Sequence, residues 1–412
     1  MLTAAATPEW MGYPMSRSGH PDISATVRGI RPVLAAAGDN ETSPGFSLPL
    51  AGTLIFAGVR VLILATAAFL LTHGKFRKFH SSLLRLLRSW DSGRYLSIAV
   101  HGYRHGADIL WFPGYPATIR VIAWVPGVGP VWAGVVVSFA AGLAAAWGLT
   151  RLGLTLTGDR RVSLLMPALW GAAPASIVLS MVYAEALFCA LAIWALIALV
   201  ERRWLMAAGL TILAGTVHSN AVALVAAVAV AAVPALIRAA QARQPIAAWW
   251  RPAAAVLLAP LGLLGYWGYV AWATHRLGGW FAQEKNVHNG FDWGHSTILV
   301  LKHAVLYGPT ASVALTLLVL AAAAALTVCS LTERMPACLH AYTLVIVVLA
   351  LGTDSYYLGS KPRFLLPAML LSLPLARLLA PARTWLLIPL IAVLAAGSTW
   401  FSLYLMSIGW AP

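Results

Sequence analysis

Charged side chains are scarce in this 412-residue sequence: 10% of its residues are charged, and only 13 are Asp or Glu. A soluble domain contains about a quarter charged residues, so this chain cannot cover a water-facing surface. The sequence is instead 60% hydrophobic. Its apolar residues form blocks, many of them roughly 18 to 25 residues long, which suffices to cross a bilayer core as a helix. The blocks lack the alternation of barrel strands, so the composition predicts an all-α, polytopic membrane protein.

Cysteines and dense carboxylate clusters are also scarce. The three cysteines, Cys189, Cys329 and Cys338, lie within or at the edge of apolar blocks, and their spacing fits neither a metal site nor a disulfide framework. We therefore predict no specific cofactor and no metal-binding residues, and we keep a divalent metal as an alternative.

The sequence contains neither a nucleotide-binding glycine loop nor a soluble domain, which disfavours an enzyme that uses nucleotide sugars. The net charge of +15 comes mostly from short loops between apolar blocks. We interpret it as a determinant of topology and of contact with membrane lipids. It does not predict a nucleic-acid partner.

The chain divides into a tail and a membrane domain. Residues 1–47 are rich in Ala, Gly, Pro and Ser, show no amphipathic period and predict a disordered tail without a signal peptide. Residues 48–412 predict a transmembrane domain of about eleven helices. The apolar blocks lie at about 50–72, 128–150, 162–180, 183–200, 204–216, 219–237, 253–273, 308–329, 337–352, 364–380 and 384–407.

Alternate loops between the blocks carry arginines, and basic loops are typical of the cytoplasmic side. This pattern predicts a cytoplasmic N-terminus and a multi-pass protein of the cell membrane. The opposite loops, including a large first loop at about 74–127, are then extracytoplasmic. That face gathers carboxylates, His and Arg, which predicts a functional site there. The first loop is itself basic, and we assign it to the outside because the later loops alternate clearly.

Asp91 lies in the first external loop, beside Trp90, Arg94 and Tyr95. Two interpretations stand side by side. Asp91 followed by Ser and Gly is a good helix start, so it is a candidate N-cap. A carboxylate beside a low-dielectric surface is also suited to remove the proton of an attacking hydroxyl as a general base.

Further candidates for substrate binding occur at the ends of other blocks, each with a structural alternative. Tyr115 belongs to an aromatic, proline-containing segment, and Glu185 begins a block where a helix dipole would stabilise it. His218 and Asn220 form a polar turn between two blocks. Lys361 and Arg363 precede a late block, where they either snorkel to headgroups or clamp a phosphate.

These segments together resemble a known family. The pattern of Trp90 to Tyr95 with Ala99 to Tyr103 is followed by Trp111 to Pro116, Pro174 to Glu185, and Lys361 to Pro367. In this order they resemble the PIG-V-like mannosyltransferases of the GT-C superfamily, including bacterial members.

The resemblance implies a multi-helix glycosyltransferase that moves a sugar, mannose in this family, from a polyprenyl-phosphate donor to an extracytoplasmic hydroxyl. The acceptor would be a lipid, a glycan or a protein. Asp91 matches the aspartate that looks like the catalytic position, and one displacement with Asp91 as base implies inversion. The alternative function is a membrane transporter or lipid flippase, which would place polar groups at mid-membrane on broken helices.

Overall fold

The computed structural model describes residues 46–73, 76, 82–104 and 106–410, and the side chains of all of these except residues 355 and 357. The predicted tail, residues 1–47, therefore lies outside the described ranges apart from its last two residues. Within those ranges the protein is all-α, and its one extended pairing is an isolated bridge between Phe291 and Thr353. The all-α prediction is confirmed.

The helices follow the apolar blocks closely. In chain order they are α1 Ser47–His73, α2 Leu83–Leu87, α3 Asp91–His101, α4 Gly114–Ile122, α5 Pro130–Thr157, α6 Arg160–Gly171, α7 Glu185–Val200, α8 Trp204–Val217, α9 Ala221–Gln241, α10 Ile246–Leu258, α11 Leu261–Thr274, α12 Gly279–Asn286, α13 His295–Tyr307, α14 Ala311–Leu331, α15 Ala337–Gly352, α16 Lys361–Phe364, α17 Ser372–Leu379 and α18 Thr384–Ser407. Short 3₁₀ helices lie at Gly106–Leu110, Ser176–Ser180, Ser355–Ser360 and Met369–Leu371.

Six helical segments among the described residues are long and apolar enough to cross a membrane, and a seventh is a bent pair. The six are Ser47–His73, Pro130–Thr157, Ala221–Gln241, Ile246–Thr274, Ala311–Leu331 and Thr384–Ser407. The chain is thus a multi-pass membrane protein, as predicted, but the count of eleven crossings is not confirmed.

The remaining blocks form shorter or interrupted helices. α7, α8 and α15 have fewer than 18 residues, and the block at 162–180 divides into α6 and the 3₁₀ helix at Ser176–Ser180. The block at 364–380 belongs to a pair of segments, Leu358–Phe364 and Met369–Leu379, bent by 81°. An apolar run alone does not tell a crossing from a helix buried within the protein. α7 illustrates this, since most of its side chains are buried in the core.

The segment predicted as the first external loop is itself helical. It contains α2, α3 and α4, and Leu86, Tyr95 and Tyr115 from these helices pack in the common core. The polypeptide between Pro113 and Pro116 does not stay irregular, because α4 begins at Gly114 and holds Pro116 in its first turn, where proline is tolerated.

Gly114 permits the close packing of α4 against α8. A Cβ atom at this position would lie 2.6 Å from Thr216 Oγ1 and 2.8 Å from the Thr216 carbonyl oxygen. Only glycine fits such an approach without displacing the backbone of α8. The contact fixes the first loop against the helices that end at the turn containing His218.

A bent segment near the C-terminus completes the site region. Lys361 is fully buried, and its Nζ donates to the carbonyl oxygens of Ala350 (3.3 Å), Leu351 (3.1 Å) and Thr353 (2.6 Å). These carbonyls lie at the end of α15, where helix carbonyls have no partner of their own and attract cations. Lys361 thereby fastens the start of α16 to the end of α15 and positions Arg363.

Candidate active site

One cavity of about 760 Å³ is lined by both polar and apolar side chains, which come from positions between Trp90 and Trp410. Its walls come from the start of α3, the segment before α4, the turn between α8 and α9, α12 with the residues after it, the bent segment and the last described residues. The lining residues on which the argument depends are Trp90, Asp91, Tyr95, Trp111, His218, Trp280, Glu284, Asn289, Tyr356, Arg363 and Trp410. A cavity of this size is within the range of small-molecule sites.

Asp91 is the first residue of α3. The N-cap residue is Trp90, whose φ of 55° lies in the left-handed region, and it makes no side-chain cap. The structure therefore differs from the capping interpretation of Asp91. Its backbone N–H instead donates to the hydroxyl of Tyr183 (3.2 Å), and its carboxylate turns toward the cavity and Arg363.

Arg363 contacts carboxylates from two earlier segments of the chain. Its Nη1 donates to Asp91 Oδ2 at 2.7 Å across 272 residues of sequence, and its Nε lies 3.4 Å from Glu185 Oε1. The Arg363 side chain is 9% exposed and the Asp91 side chain 31% exposed. The guanidinium also lies over the rings of Tyr183 (5.2 Å) and Phe364 (5.1 Å). One cation therefore serves two carboxylates in a largely desolvated setting.

The geometry leaves part of the Asp91 carboxylate available. Arg363 occupies Oδ2, and among the described residues no hydrogen bond to Oδ1 occurs. Because the Asp91 side chain remains partly exposed at the cavity wall, Oδ1 can meet a hydroxyl group of a bound molecule. An ionised carboxylate only accepts hydrogen bonds, so the arrangement suits a proton acceptor.

Glu185 and a group of tyrosines pack around this ion pair. Glu185 is 5% exposed and begins α7, and it does not line the cavity. The Tyr115 hydroxyl bonds to Ser138 Oγ (2.7 Å), and the Tyr115 ring packs edge-on against Tyr95 (5.1 Å). These buried contacts hold Tyr95 in the cavity wall. Tyr115 does not line the cavity and acts by packing against Tyr95.

His218 lines the cavity in the turn between α8 and α9. Its Nδ1 accepts a hydrogen bond from the backbone N–H of Asn220 at 3.2 Å. Burial and then the positive charge of Arg363 lower the pKa of His218 to about 4. The ring is therefore neutral at physiological pH, and its Nε2 carries the proton. It can donate a hydrogen bond to a ligand but does not supply a positive charge for a phosphate.

Three residues that the sequence predicted to bind substrate do not line the cavity. Arg94 is half exposed, lies 3.4 Å from Asp108 and stacks near Trp111 without lining the cavity. Asn220 contributes its backbone to the His218 turn, and Lys361 binds the end of α15. Of the predicted candidates, Trp90, Asp91, Tyr95, His218 and Arg363 line one cavity, and Glu185 pairs with Arg363 behind it.

The sequence-based site prediction left out another part of the cavity wall, which includes Trp280, Glu284, Asn289, Tyr356 and Trp410. One signal was present, since Trp280 and Glu284 are four residues apart and lie on the same face of α12. Trp410 had no such signal, because its place depends on how α18 ends. Among the described residues, no group of three or more His, Cys, Asp or Glu is arranged to hold a metal ion, which leaves metal dependence open.

The fold and the cavity define a multi-pass membrane protein with a desolvated carboxylate–guanidinium pair at the wall of a polar cavity. The sequence from residue 60 to residue 301 matches the family model described as Mannosyltransferase (PIG-V), and the chain belongs to this family. The matched part contains Asp91, Glu185, His218 and Glu284, whereas Arg363 follows it.

The chain is also similar to a solved structure, the crystal structure of ArnT from Cupriavidus metallidurans bound to undecaprenyl phosphate. The TM-score is 0.48 at 13% sequence identity, and the alignment covers 78% of this chain. It covers 59% of the ArnT chain, so this protein spans well under two thirds of that relative's length. Among curated proteins none matches the chain.

Proposed function

We propose that this protein transfers a hexose, mannose by its family, from a polyprenyl-phosphate donor to an acceptor hydroxyl, with the cavity open to the extracytoplasmic side. The observation that supports this most directly is the 2.7 Å contact between Arg363 and Asp91 at the cavity wall. It brings a proton acceptor and a cation into one site. Family membership supports the sugar, and the membrane fold suits a donor that is itself a lipid.

The proposed reaction is a single displacement. The acceptor oxygen attacks the anomeric carbon of the donor sugar while its proton passes to Asp91 Oδ1. The bond between that carbon and the phosphate oxygen breaks, and the phosphate leaves with both electrons. Attack from the face opposite the leaving group inverts the anomeric carbon. The acceptor itself is a lipid, a glycan or a protein.

The ion pair of Arg363 with Asp91 couples proton transfer to Asp91 with stabilisation of the leaving phosphate by Arg363. Before transfer, Arg363 is compensated by Asp91 and Glu185. When Asp91 accepts the proton it becomes neutral, and part of the guanidinium charge is released as the departing phosphate gains negative charge. A preformed charge that acts on the transition state is the effective form of electrostatic catalysis.

The domain organisation proposed for this function is a tail at residues 1–47 and a transferase domain at 48–412. The N-terminus is proposed to be cytoplasmic and the cavity extracytoplasmic, an orientation that the alternation of basic loops in the sequence supports. The residues of the first loop that are described contribute Trp90, Asp91 and Tyr95 to the cavity.

The function is tested with the protein in proteoliposomes supplied with labelled polyprenyl-phosphate mannose and acceptor extracts. We expect a labelled glycoside from the wild type and none from Asp91→Asn at equal protein level. Asp159→Asn is the matched control, because Asp159 caps α6 and Asn caps a helix as well. Equal activity in Asp91→Asn contradicts the proposed base, and lipid movement without a labelled product supports the transporter alternative.

A further inference from the structure

The wall formed by α12 and the residues after it carries polar atoms that the protein itself does not satisfy. Trp280 Nε1 and Asn289 Oδ1 are both buried, and neither has a hydrogen-bond partner among the described residues. Both residues line the cavity. Buried polar groups without partners are rare in native structures, and each one requires an explanation. Here one is a donor and the other an acceptor, and both belong to residues that line the same cavity.

The wall is anchored well enough to position a ligand. The Trp280 ring packs edge-on against Phe112 (5.8 Å) and at a tilt of 37° against Trp267 (5.9 Å). α12 begins after Gly278, whose φ of 75° turns the chain in the left-handed region. Asn289 Nδ2 donates to Glu284 Oε2 at 2.5 Å, so the amide and the carboxylate hold one another. Rigid side chains with free hydrogen-bonding atoms are what a binding site requires.

The polarity of this wall selects the kind of ligand. Burial raises the pKa of the Glu284 carboxyl to about 7, and the charge of Asp91 adds to this rise. The hydrogen bond from Asn289 acts in the opposite direction and lowers the pKa. None of the three side chains carries a positive charge, and Asn289 Oδ1 needs a donor, so an ionised phosphate, which offers only acceptors, does not suit this wall. A hydroxyl both donates and accepts, so adjacent hydroxyls of one ring can satisfy Asn289 Oδ1 and Trp280 Nε1 together.

We propose that Trp280, Glu284 and Asn289 form a sugar subsite that binds the hydroxyls of a hexose ring in the cavity that Asp91 and Arg363 also line. The inference rests on the proposed function and extends it to specificity. In this arrangement Arg363 serves the phosphate, and the three side chains of the α12 wall serve the ring. The ring belongs either to the donor or to the acceptor, and the chemistry of recognition is the same for both.

The test measures binding, so that it does not depend on turnover. The full-length protein in nanodiscs is titrated with polyprenyl-phosphate mannose and with polyprenyl phosphate lacking the sugar, and tryptophan fluorescence gives the two dissociation constants. If the ring belongs to the donor, we expect the wild type to prefer the sugar-bearing lipid by about tenfold, the size expected for one or two hydrogen bonds to a buried polar site. Asn289→Ala and Trp280→Phe should reduce this preference to less than about threefold.

The matched control is Asn286→Ala, an identical substitution at an exposed position of the same helix, which should keep the preference. Glu284→Gln is a conservative variant that retains the shape of the wall if Asn289→Ala fails to fold. A second arm titrates methyl α-mannoside in the presence of saturating polyprenyl phosphate. A loss of affinity in the first arm assigns the ring to the donor, and a loss in the second arm assigns it to the acceptor.

Variants that match the wild type in both arms overturn the subsite. A variant that weakens both lipids equally also overturns it, since that result indicates a structural role. Transfer of labelled mannose by the same preparations is measured separately. If the sugar preference behaves as expected but no transfer occurs with any acceptor, the proposed function fails and the subsite stands.

Discussion

Replacement of Arg363 by lysine tests the chemistry of the site most finely, because the charge is kept and only the geometry changes. The guanidinium contacts two carboxylates at once, through Nη1 to Asp91 (2.7 Å) and through Nε near Glu185 (3.4 Å). An ammonium group is a single point charge and cannot span both. We expect Arg363→Lys to lose one of the two interactions.

The magnitude follows from the contact that is lost. A hydrogen bond to a charged group contributes about 1.5–3 kcal/mol, which corresponds to roughly 10- to 150-fold in rate if it is lost in the transition state. We therefore expect kcat/KM for mannose transfer to fall by roughly two orders of magnitude at most. Arg363→Ala should in addition destabilise the fold, because removing one partner of a buried ion pair costs about 3–5 kcal/mol of stability and leaves two carboxylates uncompensated.

The assay is the transfer of labelled mannose in proteoliposomes, with thermal unfolding of each variant measured alongside. Arg377→Lys is the control: Arg377 pairs with Glu333 at 2.7 Å but is 42% exposed, so its replacement should leave transfer unchanged. If Arg363→Lys transferred mannose as fast as the wild type, the two-carboxylate arrangement would have no part in the reaction.

Three further outcomes follow from the geometry. Arg94→Ala should change kcat/KM by less than about fivefold, since half-exposed ion pairs contribute only about 0–1 kcal/mol, and a loss of several hundredfold in the transfer assay would place Arg94 in the site. Lys361→Met should lower the unfolding temperature clearly, because the carbonyls at the end of α15 lose their partner; an unaltered unfolding temperature would contradict its structural role. The Glu284 pKa is raised from 4.5 to about 7, so the folded protein binds this proton more tightly than the unfolded chain and the stability it gives is lost as pH rises through that window. Thermal unfolding of wild type and Glu284→Gln should therefore diverge between these pH values, and parallel pH profiles would contradict the raised pKa.

The sequence predicted the fold class and most helix positions, because long apolar runs carry their own signal. α1 and α18 show this, with predicted ranges of 50–72 and 384–407 against observed helices at Ser47–His73 and Thr384–Ser407. Apolarity alone does not give the number of crossings, because α7 and α8 are as apolar as membrane spans but have fewer than 18 residues. α7 is mostly buried, and this burial depends on packing that composition does not record.

The site was only partly predictable for a similar reason. Asp91 stood out because carboxylates are rare in this chain, and Arg363 because it preceded an apolar block. Their direct contact depends on the bent segment, which Lys361 fastens to α15. Because Lys361 binds the carbonyls at the end of α15, it does not line the cavity itself. The α12 wall remained hidden among the many polar residues of its loop.

The central claim is that the Asp91–Arg363 pair faces the reacting end of a polyprenyl-phosphate sugar. The most direct measurement is an electron cryo-microscopy structure of the protein with a non-cleavable phosphonate analogue of that donor. The account predicts the phosphonate within about 3.5 Å of the cavity wall that bears Arg363, with the anomeric carbon facing Asp91. A sugar bound outside this cavity, or turned away from Asp91, would contradict it.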